Sequence, residues 1–152
     1  MEIRELREGD GPGLSRLMAE VQAELPEAMT FGVLSPERMG ETVAWKLEAV
    51  RSGAVADLAA VEGGEVVADC EILCDGAEGI AGIIVRGGAR GKGIGKALLE
   101  GCMARARDLG VRTVRARVMA SNSRAVSFFR RMGFEERGRN RDGTVLMGRA
   151  LP

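Results

Sequence analysis

The run Arg86-Gly87-Gly88-Ala89-Arg90-Gly91-Lys92-Gly93-Ile94-Gly95 joins an apolar segment, Glu78 to Val85, to a stretch with helical periodicity. A glycine-rich turn from strand to helix presents unpaired backbone N–H groups at the positive end of a helix dipole, which is a site for an anion and for phosphate in particular. Arg86, Arg90, Lys92 and Lys96 add side-chain charge around it. Two common phosphate patterns fail on named residues. A nucleotide-hydrolysing loop needs Gly-x4-Gly-Lys-Ser/Thr, but residue 86 is Arg and Lys92 is followed by Gly93, with no hydroxyl for a magnesium ion. A dinucleotide fingerprint starts at Gly91-Lys92-Gly93, but Lys96 stands at its third glycine. No acidic residue ends a following parallel strand at the expected distance. What remains is Arg90-x-x-Gly93-x-Gly95 at the end of an apolar strand.

Absent residue types narrow the chemistry further. The chain has no His and no Tyr, which excludes Ser-His-Asp and Cys-His nucleophilic machinery, His-ligated metals and a tyrosine general acid. Any base is a carboxylate, a Lys, a water or the substrate itself, and no metal is expected. Cys70, Cys74 and Cys102 form no pairing or zinc pattern and read as reduced core thiols, with Cys70 and Cys74 on one face of a strand.

The 152 residues fit one domain, residues 1–152, long enough for a real core without staples. Net charge is zero, against a general nucleic-acid binder. Yet residues 1–85 hold six basic and 17 acidic side chains, a net of −11, and residues 86–152 hold 16 and five, a net of +11. The second half is suited to meet an anion and the first half a cation. Met1-Glu2-Ile3-Arg4-Glu5 lacks the apolar core of a signal peptide, and no apolar run is long enough for a membrane helix. A cytoplasmic protein that meets neither membrane nor nucleic acid is the expectation.

The elements that position the turn follow from periodicity. Ile3 to Leu6 reads as a strand. Leu14, Leu17, Met18, Val21 and Leu25 recur at helical spacing up to Pro26. Ser35-Pro36 opens a second helix with an apolar stripe at Met39, Val43, Leu47 and Val50. Residues 54–61 and 66–73 are strands around a hairpin turn at Gly63-Gly64. In the second of them Ala68, Cys70, Ile72 and Cys74 take one face, and Val67, Asp69, Glu71 and Leu73 take the other. The segment 78–85 is nearly all apolar or Gly and is expected to be central and covered on both faces. A helix over 94–109, a strand over 111–119, a helix over 124–132 and strands over 134–138 and 144–151 complete the chain. The result is a mixed α/β sheet.

Two segments together carry a resemblance. Arg90-Gly91-Lys92-Gly93-Ile94-Gly95 matches in full the Arg/Gln-x-x-Gly-x-Gly/Ala pyrophosphate signature of the GNAT superfamily of acetyl-CoA-dependent N-acetyltransferases. Asn122-x-x-Ala125-x-x-Phe128-Phe129-x-x-Met132-Gly133-Phe134 is similar to that family's Asn-x-x-Ala-x-x-Phe-Tyr-x-x-x-Gly-Phe helix. The order of elements agrees over nearly the whole chain. The resemblance implies a GNAT-like α/β fold, a mixed and mostly antiparallel twisted sheet with helices on both faces. Helices 94–109 and 124–132 are expected on different faces. It implies acetyl-CoA as co-substrate, with the pantetheine arm paired along Ile83, Ile84 and Val85. The amides of Gly91, Lys92, Gly93, Ile94 and Gly95 would cradle the pyrophosphate, with Arg90 and Lys96 beside them. Gly79 and Gly82 would leave room beside the strand. Asn122 would hold the pantetheine or cap its helix, and Phe129 would lie near the thioester sulfur.

The implied reaction is acetyl transfer to the amine of a small cationic molecule or a peptide, with a homodimer left open. Glu78, at the start of the thioester strand, and Glu71, on the neighbouring strand, are the candidate bases. Two positions depart from the family pattern. Phe129 stands where the family's general acid is Tyr, and Arg117 stands where ribosomal-protein acetyltransferases carry a Glu base. The alternative from another class is a catalytically weak acyl-CoA-binding or sensor domain.

Overall fold

A computed structural model describes residues 1–30 and 33–152. Seven strands form one sheet in the order β1-β2-β3-β4-β5-β7-β6. They are β1 (Glu2–Arg4), β2 (Val55–Glu62), β3 (Glu65–Asp75), β4 (Glu78–Val85), β5 (Thr113–Met119), β6 (Glu135–Arg139) and β7 (Thr144–Ala150). The helices are α1 (Gly11–Glu24), α2 (Pro36–Ser52), α3 (Ile94–Asp108) and α4 (Ser123–Arg131). Neighbouring strands run antiparallel except β4 and β5, which are parallel. The expected mixed, mostly antiparallel α/β sheet is therefore the observed one.

Local chemistry sets the element ends. Gly63 and Gly64 adopt φ of 57° and 79°, the two left-handed residues that a tight primed hairpin needs. Ser35 caps α2 by accepting a hydrogen bond from the Arg38 amide at 3.2 Å, and Gly53 ends that helix at φ 79°.

Strand alternation divides the core into two clusters. On one face Leu14, Leu17, Val21 and Val43 of α1 and α2 pack over Ala59, Val66 and, at the edge, Ile84. On the other, Leu98, Leu99, Cys102 and Ala106 of α3 pack over Leu58, Cys70, Ile72 and Ala81. Phe129 and Met132 of α4 join this same second cluster. The expectation that α3 and α4 take different faces is thus corrected. The chain leaves α3 through β5 and re-enters at α4 on the same side, where the Phe128 ring packs against Gly95. Cys70 and Cys74 do share the α3 face, and the buried Cys102 thiol donates to the Cys70 carbonyl at 3.3 Å.

Three further expectations are corrected. Val67 packs with the α3 cluster and Val66 with the α1–α2 cluster, because a bulge beside Ala60 and Val61 reverses the alternation there. The buried stripe of α2 is Met39, Val43, Lys46 and Ala49, with Leu47 half-buried, so a lysine occupies a core-facing position. Strand β4 is the fourth of seven but is not covered on both faces, since Ile80 on its α2 side is 50% exposed.

Candidate active site

Strands β4 and β5 pair only from Glu78 to Ala81 against Thr113 to Ala116. Beyond that they part. Strand β3 continues to pair with β4 as far as Val85, so residues 82–85 have β3 on one edge and no strand on the other. An extended ligand can add to such a free edge as a further strand. Two grooves run into the gap. One, of about 810 Å³, is lined by Ile83, Ile84, Val85, Arg90, Gly91, Gly93, Ile94, Gly95, Lys96 and Asn122, with Phe128 and three further arginines. The other, of about 420 Å³, lies on the α1–α2 face. They share Ala28, Ile83, Ile84, Asn122 and Ala125, so they meet where the strands part.

The turn into α3 is shaped by its glycines. Gly91 and Gly93 have φ of 77° and 81°, in the left-handed region, and Gly93 is the N-cap of α3. Gly95 answers a different need. A Cβ there would come within 3.2 Å of the Phe128 ring. The first-turn amides of α3 therefore open into the larger groove without side chains over them. Ile94 is buried under the turn and anchors it to the α3 core.

The cations around the turn are arranged unequally. Arg90 donates through Nε to the Val85 carbonyl at 3.0 Å and pairs with Glu24 of α1. Arg86 lies between Glu20 and Glu65, both at 2.8 Å, which holds its guanidinium above its ordinary pKa. Lys92 is exposed and outside the groove lining, whereas Lys96 lines it. Arg124, Arg131 and Arg149, which the sequence reading did not single out, also line it. Their signal in the sequence was only the basic excess of the second half.

Asn122 caps α4, its side chain accepting from the Ala125 amide at 3.2 Å, and it lines both grooves. Phe129 is 3% exposed and holds edge-to-face contacts with Phe128 and Phe134, at ring separations of 5.3 and 5.1 Å. Its ring reaches the smaller groove. Ser127 is exposed and lines neither groove.

The two candidate bases are not placed alike. Glu71 faces Gly82 across the β3–β4 pair, lines the smaller groove and has a side chain 35% exposed. Glu78 sits at the far end of β4, exposed, 2.8 Å from Arg115, and lines neither groove. Of the two strand glycines, Gly82 leaves the expected room. Gly79 does not, because it faces α3, where a Cβ would meet Ile72 at 2.6 Å.

Beside Glu71 lies a buried charge cluster that the sequence reading missed. The Lys46 ammonium bonds Asp69, and lies 3.1 Å from Asp57 Oδ2 and 3.7 Å from Glu71 Oε1. Burial alone would lower the lysine's pKa, but Asp69, Glu71 and Asp57 together outweigh it and keep the ammonium charged. Burial, reinforced by the Asp69 charge and opposed by Lys46, pushes the Asp57 carboxyl up to about 10. It is thus a neutral acid at pH 7. The available signal was a lysine three residues after Val43 on a core-facing helix, opposite strands carrying Asp57, Asp69 and Glu71.

The sheet thus parts between two parallel strands, with a glycine-rich helix start at one mouth of the gap and an open pocket at the other, and both grooves reach the same strand edge. Residues 14–134 match the sequence model of the Acetyltransferase (GNAT) family, and the chain belongs to that family. Solved structures share the architecture. The GNAT domain of S. lividans PAT matches at TM-score 0.86 and 24% identity, over 98% of this chain and 89% of that one. Ribosomal-protein-alanine N-acetyltransferase from Brucella melitensis matches at 0.82 and 24%, over 99% and 100%. A phosphinothricin acetyltransferase from Sinorhizobium meliloti, in complex with acetyl-CoA, matches at 0.79 and 22%, over 99% and 88%. Family membership makes acetyl-CoA the co-substrate and acetyl transfer the activity. No described helix is long and apolar enough to cross a membrane.

Proposed function

We propose that the chain, as a single domain over residues 1–152, transfers the acetyl group of acetyl-CoA to the nitrogen of a small cationic amine or a peptide amine. The observation that carries this reading is the meeting of the two grooves at Ile83 and Ile84, with the Glu71 carboxylate on the acceptor side. The larger groove takes CoA, its pyrophosphate on the amides of Gly91 to Gly95 with Arg90 and Lys96 beside it. The pantetheine lies along Ile83, Ile84 and Val85. An ammonium entering the smaller groove meets Glu71, and with Asp57 neutral the carboxylates of Asp69 and Glu71 still outnumber the one lysine beside them, which makes that wall attractive to a cation.

The amine must be neutral to attack, so Glu71 takes its first proton. The nitrogen then bonds to the thioester carbon, and a strand N–H of residues 83–85 donates to the developing oxyanion. The C–S bond breaks, and the second amine proton passes to the departing thiolate directly or through water. With Phe129 in place of a phenol and Ser127 facing solvent, no side-chain acid serves that last step. A thiol with an ordinary pKa near ~8.5 is a tolerable leaving group without one.

Thiol release from acetyl-CoA with a panel of amines tests the reading. Glu71→Gln is expected to lose turnover while keeping acetyl-CoA affinity. Loss in Glu78→Gln alone would move the base to that residue. Tight CoA binding with no amine turned over would favour an acyl-CoA-binding or sensor role, the reading that the missing phenol supports.

A further inference from the structure

The smaller groove has a second wall, of a different kind from Glu71. Leu73 and Ile80 are paired across β3 and β4 and face the α2 side. Trp45 of α2 and Leu34 complete the wall. Leu34 is held in place by both of its backbone groups, which bond the Gln22 side chain at 2.7 and 3.0 Å. Trp45 is 54% exposed and Ile80 50% exposed, two large apolar side chains left open to solvent at one place. Contiguous exposed apolar surface on a folded domain marks a site that something covers. Charge complementarity indicates what does. The platform borders a half-open carboxylate, and the cations on the same lining are engaged elsewhere, Lys46 by Asp69 and Asp57 and Arg117 by Asp142.

Building on the acetyltransferase reading above, we propose that the acceptor is a primary amine carrying an apolar or aromatic body, which lies on Trp45, Leu73 and Ile80 while its nitrogen meets Glu71. The spacing sets the size. Ile80 and Gly82 are successive residues on one face of β4, about 7 Å apart. An acceptor whose nitrogen meets Glu71 therefore extends about 7 Å to lie over Ile80, roughly the span of an arylethylamine from its nitrogen across its ring. A linear diamine of similar length fits the carboxylate but buries less apolar area on Trp45, Leu73 and Ile80 than a ring does, although Glu27 also lines the groove.

Trp45 is the chain's single tryptophan and there is no tyrosine, so intrinsic fluorescence reports this wall directly. The experiment titrates the CoA-loaded protein with 2-phenylethylamine and with 1,4-diaminobutane, and measures acetyl transfer to each. A saturable blue shift with phenylethylamine and none with diaminobutane is expected. So is a kcat/KM at least ~10-fold higher for phenylethylamine, the scale on which apolar pockets discriminate. Ile80→Thr is expected to shrink that preference severalfold through KM at unchanged CoA affinity, and Trp45→Ala to shrink it further. Emission unmoved by phenylethylamine, or equal or better turnover of the diamine, overturns the proposal. Acetylation of both amines without preference sinks this inference and leaves the acetyltransferase reading standing. A blue shift with no acetylation of any amine overturns the acetyltransferase reading and with it the acceptor role proposed here, leaving only an amine-binding wall.

Discussion

Glu71 and Gly82 face each other across β3 and β4, and a Cβ on Gly82 would lie 3.7 Å from the Glu71 carboxylate oxygen. The glycine is what keeps the carboxylate open to the groove at the point where β4 and β5 separate. Space and charge at the proposed reaction centre thus depend on one cross-strand pair. Gly82→Ala adds only an ordinary contact and should leave the melting temperature within a few degrees of wild type. Gly82→Leu fills the space in front of Glu71, and the amine KM should rise ~10-fold or more while CoA affinity, measured by calorimetry, holds.

The anion cradle is testable through Gly93. Its φ of 81° disfavours any side chain, and a carboxylate there meets the phosphate with like charge. Gly93→Asp is expected to abolish CoA binding in calorimetry. Unchanged affinity would remove the pyrophosphate from this turn.

The buried cluster predicts a pattern of stability. Lys46→Met removes the cation that bridges Asp57, Asp69 and Glu71 and is expected to cost about 3–5 kcal/mol in denaturant unfolding, the range for breaking a buried ion pair from one side. Adding Asp57→Asn should restore part of that loss. A single Lys46→Met variant as stable as wild type would mean the cluster is hydrated and weakly coupled.

The same cluster predicts a dependence on pH. Asp57 holds its proton in the folded protein up to about 10, whereas the unfolded chain releases it near 3.8. Between those values the folded state binds more protons, so this group's contribution to stability falls as pH rises and levels off above about 10. Asp57→Asn, which cannot ionise, should flatten the decline between pH 6 and 9. The check is a set of urea melts across that window, and parallel slopes for the two proteins would refute it.

Phe129 tests the missing acid. Its ring is wedged between Phe128 and Phe134, and the residue lines the smaller groove. General-acid help is typically worth 10²–10⁴-fold, but a leaving thiolate needs little of it. Phe129→Tyr should fold normally and raise kcat by up to about tenfold, with an alkaline limb from the new phenol in its pH profile. A large rate loss in Ser127→Ala at normal CoA affinity would instead show that a serine acid operates.

The proposed cofactor side was legible along the chain because its parts are consecutive. An anion cradle is built from successive backbone amides, and the glycines that bare them at 91, 93 and 95 can be read in a row. Strand and helix periods likewise gave the element order and the hairpin at Gly63-Gly64. The smaller groove, the proposed acceptor side, is assembled from positions far apart in sequence, and only the fold brings them together. Nothing local distinguishes Glu71 from Glu78. The parting of β4 and β5 after Ala81 leaves Glu71 beside the groove and Glu78 beside Arg115. Nothing local buries a lysine either. Lys46 lies inside because α2 turns it onto the face of the sheet where Asp57 and Asp69 already point. Charge and shape in that groove come from side chains that approach only when strands pair and helices pack, and a one-dimensional pattern does not record which faces meet.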